Sequence, residues 1–472
     1  MPPSILRNIP SVNELLDSQP LKRLSDSVSR NVVVSGVRTF LDLLREEART
    51  AASDIALPVR SELAERIASW ILAAEKTPLR PVINATGILL HTGLGRAPLA
   101  REALADIAEL AHGYCSLEVD LDSGERSQRN IAVEKLLQDL TGAEAALVVN
   151  NNAGATLLAL AALAADAEVI VSRGELVEIG GSYRLPDVMQ ASTARLREVG
   201  TTNKTRRADY ERAIGPDAAA VLKVHSSNYA IVGFTEEVPF GELASLAHQH
   251  RLIAIHDIGS GALIDYSRYG LTGEPVVSES IRAGADIVLF SGDKLLGGPQ
   301  CGIILGRKSL VHQIRSHSLA RAFRVGKLTL AALAATLRLY RDPDTAERSV
   351  PLLSLLSTSV ENLQLRAERL APQLAAAEAI ASAKPLENVT FLGGGSLPGQ
   401  QVRTWCVALR PVTGSVDQLA ERLRSGSPSI FGRVQQNFLL LDLRTVFPAQ
   451  DSYIAQTTCA IRGEEKQSAT VS

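Results

Sequence analysis

From about residue 79 to residue 330 the sequence alternates short, wholly apolar runs with longer stretches whose apolar residues recur at helical spacing. "AALVVN" leads into "AGATLLALAALAA" and "AAVLKVH" into "FGELASLAHQH"; "EVIVSR", "LIAIHD", "DIVLFSGD" and "GIILGR" complete the apolar set. A strand with one face in water alternates apolar and polar residues, whereas a strand without alternation is covered on both faces. Covered strands separated by helices restrict the chain to an α/β architecture with a mostly parallel central sheet between helical layers. In open sheets of this kind ligands bind beyond the carboxyl ends of the strands. Asn150, His225, Asp257 and Lys294 all fall at or just after the ends of such runs.

The flanking segments read differently. Residues 1–78 predict a helical N-terminal domain: "SVNELL" places a serine three residues before a glutamate, the capping-box spacing, and "RSELAERIASWILAAEK" is amphipathic at helical period. "TPLRP" breaks that pattern and marks the boundary to a catalytic α/β domain over 79–330. Residues 331–462 predict a smaller α+β C-terminal domain, opened by the helical "LTLAALAATLRLYRD" and containing strands "RTWCVAL" and "NFLLLDLRTV". The polar 463–472 predicts a disordered tail.

Composition narrows the function classes. With 46% hydrophobic and 21% charged residues and a net charge of −2, the chain is of ordinary globular type and carries no global basic field for nucleic acid, although a local patch can serve that purpose. Its four cysteines, Cys115, Cys301, Cys406 and Cys459, are scattered without a CxxC pair, which argues for a reducing compartment and against a disulfide framework or a metal site. The N-terminus has no apolar leader, and the most apolar stretch, Ala153–Ala167, is too short to span a bilayer. The expected location is cytoplasmic, without a membrane.

In "SGDKLLGGPQCG", Lys294 ends an apolar strand among small residues, and Asp257 ends another strand 37 residues earlier. Either residue has a plain structural explanation, a turn cap or a solvated lysine. Together they match what pyridoxal 5'-phosphate (PLP) requires: a lysine for the Schiff base and a carboxylate that keeps the pyridine nitrogen protonated. "VVNNNAGATLLAL" supplies a strand, a polar turn and a helix start, so Asn151, Asn152, Ala153 and Gly154 either cap the helix or present N–H groups to the cofactor phosphate. Arg96 lies in the glycine-bounded "TGLGRAPL", and Arg321 and Arg324 in "RSHSLARAFRVGK" share one face if that segment is helical. These arginines form either a solvated basic surface or a fork for an oxyanion. His225 is either a group beside the cofactor or a structural strand-end histidine.

The motifs "INATGILLHTGLGRAPL", "TGAEAALVVNNNAGA", "SRGELVEIGGSYRLPDVM", "EVGTTNKT", "KVHSSNYAIVGFTEEV", "SGDKLLGGPQCGII" and "GGGSLPGQ" give the chain, over nearly its whole length, a resemblance to the bacterial selenocysteine synthase family. These L-seryl-tRNA(Sec) selenium transferases are fold-type I PLP-dependent enzymes, similar in fold to aspartate aminotransferase. The resemblance implies that Lys294 carries PLP as a Schiff base, Asp257 holds the ring nitrogen, and the Asn151–Gly154 turn takes the phosphate. It further implies that Arg96, Arg321 and Arg324 bind selenophosphate and that Asp293 is a second catalytic candidate. Water would be eliminated from the seryl group of seryl-tRNA(Sec) and selenium added in its place. The N-terminal domain would recognise the tRNA, and the chain would form a homo-oligomer, a ring-shaped decamer of dimers. The sequence departs from the family pattern at Gly93, Ser127, Gln128, Ser318 and Gly326. A related PLP lyase or transferase acting on a small phosphorylated or acidic amino compound is the alternative, and a catalytically silent tRNA-binding scaffold a third. The N-terminal segment favours the tRNA substrate, and the presence of Lys294 and Asp257 counts against the scaffold.

Overall fold

The computed structural model describes residues 9–50, 58–75, 79–129, 131–181 and 183–461. The tail at 463–472 lies outside them. The chain divides into two compact units, Met1–Pro81 and Val82–Ser472, a division three residues beyond the end of the helical segment read from sequence. Among the described residues no helix is long and apolar enough to cross a membrane.

In the first unit, helices Val12–Leu16, Gln19–Leu24, Arg30–Thr50 and Arg60–Glu75 enclose a core of Leu15, Leu21, Val37, Leu41, Ile67 and Ile71. The capping box forms as the sequence spacing predicts, with Ser11 and Glu14 each accepting from the other's backbone N–H. The two long helices approach so closely at Gly36 that a Cβ there would lie 2.5 Å from Cγ1 of Ile71. Phe40 and Trp70 meet edge to face beside this crossing.

The second unit is organised by a seven-stranded sheet. Its strands, numbered here in chain order, are β1 (Ala145–Val149), β2 (Glu168–Ser172), β3 (Arg195–Val199), β4 (Ala218–Val224), β5 (Ile253–Gly259), β6 (Ile287–Ser291) and β7 (Gly302–Gly306). Their spatial order is β1-β7-β6-β5-β4-β2-β3. All neighbours pair in parallel except β7, which runs antiparallel to both β1 and β6. The fold is therefore the α/β class expected, with a mostly parallel sheet. Strand periodicity distributes the apolar runs over two cores. Ala146, Val148, Val288 and Phe290 face helices Ile131–Thr141 and Lys327–Leu339, while Leu147, Val149, Ile287 and Leu289 face Asn152–Leu163 and Lys308–Ser316. β3 escaped the apolar-run criterion because, as an edge strand, its "RLREV" leaves charged side chains in water.

The 330/331 boundary read from sequence falls inside the helix Lys327–Leu339, whose Leu330, Leu333 and Leu337 belong to the core of the large sheet. Farther on, Ile380–Thr390, Val402–Pro411, Phe438–Asp442 and Arg433–Gln435 form a four-stranded antiparallel sheet in that order. Val360–Ala375 and Val416–Ser425 contribute to a separate apolar core against it. The strand Val82–Asn84 joins this region by pairing in parallel with Ser429–Phe431.

Gly302 of β7 sits against the turn that follows β1: a Cβ there would lie 2.2 Å from the Asn151 carbonyl oxygen and 2.9 Å from the Asn152 nitrogen. Backbone cannot yield as a side-chain tip can, so Gly302→Ala should displace that turn. The expected cost is about 1–3 kcal/mol, read as a lower denaturation midpoint at unchanged m-value.

Candidate active site

Four segments converge at the carboxyl edge of the sheet. β5 carries Asp257, β4 ends just before His225, the turn after β6 carries Lys294, and β1 leads into Asn151 and Asn152. Asp257, His225 and Lys294 line one cavity with Arg96, Asn151, Asn152, Ala153 and Tyr183. The sequence reading thus brought together six of its candidate positions and Arg96 in one place.

Asp257 is 5% exposed. Asn152 Nδ2 donates to its Oδ1 at 2.8 Å and Thr156 Oγ1 to its Oδ2 at 2.9 Å. Burial raises its pKa above the usual carboxylate range, against the pull of these two donors and of the Lys294 charge. Both donors come from the first turn and a half of the helix Asn152–Leu163, four residues apart and so on one face. Thr156 was not singled out in the sequence; its spacing from Asn152 was the available signal.

Lys294 is 7% exposed. Burial first, and then the neighbouring Arg96 guanidinium, push its pKa below that of an ordinary lysine, against Asp257, Asp293 and Glu274. A lysine in this state has more neutral amine available for a carbonyl carbon. Its Nζ lies 3.5 Å from the Gly395 carbonyl oxygen. Gly395 follows Gly393 and Gly394, all three at positive φ, so the "GGGS" loop passes over the lysine in a conformation side chains disfavour. That loop was visible as a motif, but its place above Lys294 required the fold.

Asp293 is held in an ion pair. Arg96 Nη1 donates to its Oδ2 at 2.7 Å, and both side chains are partly or wholly withdrawn from solvent. Arg96 itself adopts a positive φ of 61°, and its Nε is buried without a hydrogen-bond partner. His225 Nε2 lies 3.5 Å from Oε2 of Glu274, a carboxylate only 1% exposed and absent from the sequence reading.

The turn after β1 differs from its sequence reading in two respects. Asn151 does cap the helix, accepting from the Gly154 N–H at 2.8 Å, so that donor is occupied. The N–H groups of Asn152 and Ala153 are left as the helix-start donors without intrahelical partners. Gly154 is small because of packing: a Cβ there would lie 2.9 Å from the Phe323 ring.

The arginine pair departs further. The segment expected to be one helix is broken: Lys308–Ser316 is helical, Ser318–Arg321 is a short 3-10 turn, and the next helix begins at Lys327. Arg321 and Arg324 therefore do not share a helical face. Both are exposed and neither lines the Lys294 cavity of this chain. Arg324 Nη1 lies 3.7 Å from Oε1 of Glu118, which also accepts from Arg126 and Arg129.

The family model for L-seryl-tRNA selenium transferase matches residues 82–447, and that for the selenocysteine synthase N terminal matches residues 6–45. The L-seryl-tRNA(Sec) selenium transferase of Moorella thermoacetica is 48% identical over 96% of this chain and 96% of its own length. That of Geobacter sulfurreducens is 48% identical over 94% of this chain and 96% of its own. Among solved structures, a D-glucosaminate-6-phosphate ammonia-lyase aligns with a TM-score of 0.56 at 23% identity, covering 80% of this chain and 95% of that one, a likeness of fold.

The Arg96 charge disfavours the ammonium form of Lys294. Arg96→Gln removes that charge and frees the Asp293 carboxylate, and both changes favour ammonium. The pH at which Lys294 begins to react with an amine-selective label, followed by mass spectrometry on the full chain, should therefore move upward in Arg96→Gln.

Proposed function

This chain belongs to the L-seryl-tRNA selenium transferase family, and we propose that it converts L-seryl-tRNA(Sec) to L-selenocysteinyl-tRNA(Sec) with selenophosphate as donor. At the site, one observation carries the reading: a buried, readily deprotonated Lys294 shares its cavity with a braced, buried Asp257 carboxylate. The donor set fits PLP. Lys294 offers an amine to a carbonyl carbon, and Asp257 offers a carboxylate to a ring nitrogen. Asn151, Asn152, Ala153 and Gly154 form the helix start for a phosphate, with the N–H groups of Asn152 and Ala153 as its donors. Asn152 Oδ1, buried without a partner, adds an acceptor in the same wall. When bound, PLP supplies an electron sink for the α-carbon of the seryl group.

The chain's own residues then divide the work. Lys294 takes and returns the α-proton, for which its lowered pKa suits it. Asp257, immobilised by Asn152 and Thr156, orients whatever cationic nitrogen it meets. Arg96 offers positive charge inside the cavity, and Asp293 positions it. Arg321 and Arg324 bind the phosphate-like donor from the neighbouring loop. His225 stands beside the cofactor. We further assign tRNA recognition to the N-terminal helical unit, and a cytoplasmic homo-oligomer, a decamer of dimers, to the assembled protein.

Lys294→Ala should abolish the visible absorbance of bound PLP and reduce formation of selenocysteinyl-tRNA from seryl-tRNA(Sec) and selenophosphate by on the order of 10²–10⁴-fold or more. Arg321→Ala and Arg324→Ala should impair selenium transfer while retaining the absorbance; equal loss of both would remove them from the donor site. Wild-type protein that eliminates water from small amino acids but leaves seryl-tRNA(Sec) untouched would favour the lyase alternative.

A further inference from the structure

We propose that His225 gives the proton that lets the β-hydroxyl of the seryl group depart as water, and that Glu274 is the residue that positions His225 for this. The inference rests on the seryl-tRNA reading of the site. Eliminating water requires two proton movements, one from the α-carbon and one to the β-oxygen. Five titratable side chains line the cavity among the described residues: Arg96, Tyr183, His225, Asp257 and Lys294. Lys294 is engaged with the α-proton. Arg96 keeps its proton in an ion pair with Asp293. Asp257 accepts from Asn152 and Thr156. Burial pushes the Tyr183 phenol well above its ordinary range, so it surrenders a proton reluctantly. His225 is the one of the five not committed in this way, and its ring can both give and accept a proton.

Its surroundings suit that task. His225 follows β4, and its backbone N–H donates to the Asp257 carbonyl at 2.9 Å, which fixes its height in the cavity. It also lines the adjoining open cleft, with Ser226 and Tyr229, and so stands where the cavity meets solvent. Behind the ring, Glu274 Oε2 lies 3.5 Å from Nε2. Glu274 is 1% exposed, its Oε1 is held by the Ser260 hydroxyl, and its Oε2 has no hydrogen-bond partner of its own. Ser260 lies three residues beyond Asp257, so the brace of Glu274 and the Asp257 carboxylate come from one strand end. A carboxylate on Nε2 commits that nitrogen and leaves Nδ1 to the cavity. In the step, the α C–H pair becomes the Cα=Cβ bond while the Cβ–O bond breaks with its electrons on oxygen. Lys294 takes the α-proton; His225, entering the step with both ring nitrogens protonated, gives the Nδ1 proton to the oxygen and keeps the Nε2 proton facing Glu274; water leaves, and Nδ1 regains a proton from solvent.

The test compares seryl-tRNA with β-chloroalanyl-tRNA, whose chloride departs without a proton. His225→Gln should slow elimination from the seryl substrate by on the order of 10²-fold more than elimination from the chloroalanyl substrate. Equal loss on both overturns the proton-donor role. Wild-type protein that processes neither overturns the seryl reading instead. Glu274→Gln should lower kcat on the seryl substrate with little change in KM. In ¹⁵N-histidine-labelled full-length protein without cofactor, the His225 signal should report a proton on Nε2, lost as the preferred form in Glu274→Gln. An unchanged signal overturns the positioning role. Should His225→Gln fail to fold, His225→Asn and Glu274→Gln carry the same leaving-group comparison.

Discussion

The interaction on which the site depends is a carboxylate held where a carboxylate is costly. Asp257 lies near the end of β5, the central strand of the sheet, at 5% exposure, and burial raises its pKa. A buried ion without partners costs several kcal/mol, so the fold must supply donors. It does so from the helix Asn152–Leu163, which crosses from the far edge strand β1. The distance between those strands in the sheet is bridged by β7 and β6, and β7 can enter only because Gly302 admits the Asn151 backbone. The antiparallel strand, the glycine and the helix position are thus requirements of one carboxylate.

The same electrostatic logic orders the rest of the cavity. Arg96 opposes Asp293, His225 opposes Glu274, and Lys294 feels Asp257, Asp293 and Glu274 together. The Arg96–Asp293 pair lets two opposite charges be held in a small space. Lys294 is the group whose balance tips away from charge, because its burial and Arg96 together outweigh Asp257, Asp293 and Glu274. A lysine made nucleophilic in this way does not require a special neighbour of its own. Burial and the Arg96 charge suffice, and Arg96 also pairs with Asp293 at 2.7 Å.

What could be read from the sequence follows from where each signal resides. Apolar runs report burial on both faces, so β1, β2 and β4–β7 and the placement of Asp257 and Lys294 at strand ends were legible. β3 was not, because an edge strand with charged side chains has the composition of a surface loop. Asn151 as a cap was legible from its position before a helix; the commitment of Asn152 to Asp257, 105 residues away, was not. Glu274 carries no local pattern, since a buried carboxylate in a connection is distinguishable from a solvated one only by what packs over it. Arg321 and Arg324 illustrate the opposite error: helical spacing was present, but His317 adopts an extended conformation with ψ 142° and ends the helix before them.

That broken segment is nevertheless tied to the site. The Phe323 carbonyl accepts from the Asn150 N–H at 2.9 Å, Val149 and Arg324 form a β-bridge, and the Phe323 ring packs over Gly154. Phe323, one of the two residues between the arginines, is therefore clamped to the strand end and to the helix start that bear Asn151 and Asn152. Arg129 closes the other side, donating to the Val325 carbonyl at 3.0 Å while it holds Glu118. The backbone tied down from Phe323 to Val325 carries Arg324 itself and holds the end of the 3-10 turn that carries Arg321, although both side chains are exposed. The arginine pair and the helix start that braces Asp257 thus share one mechanical support, and a change in the volume of residue 323 should be felt at both.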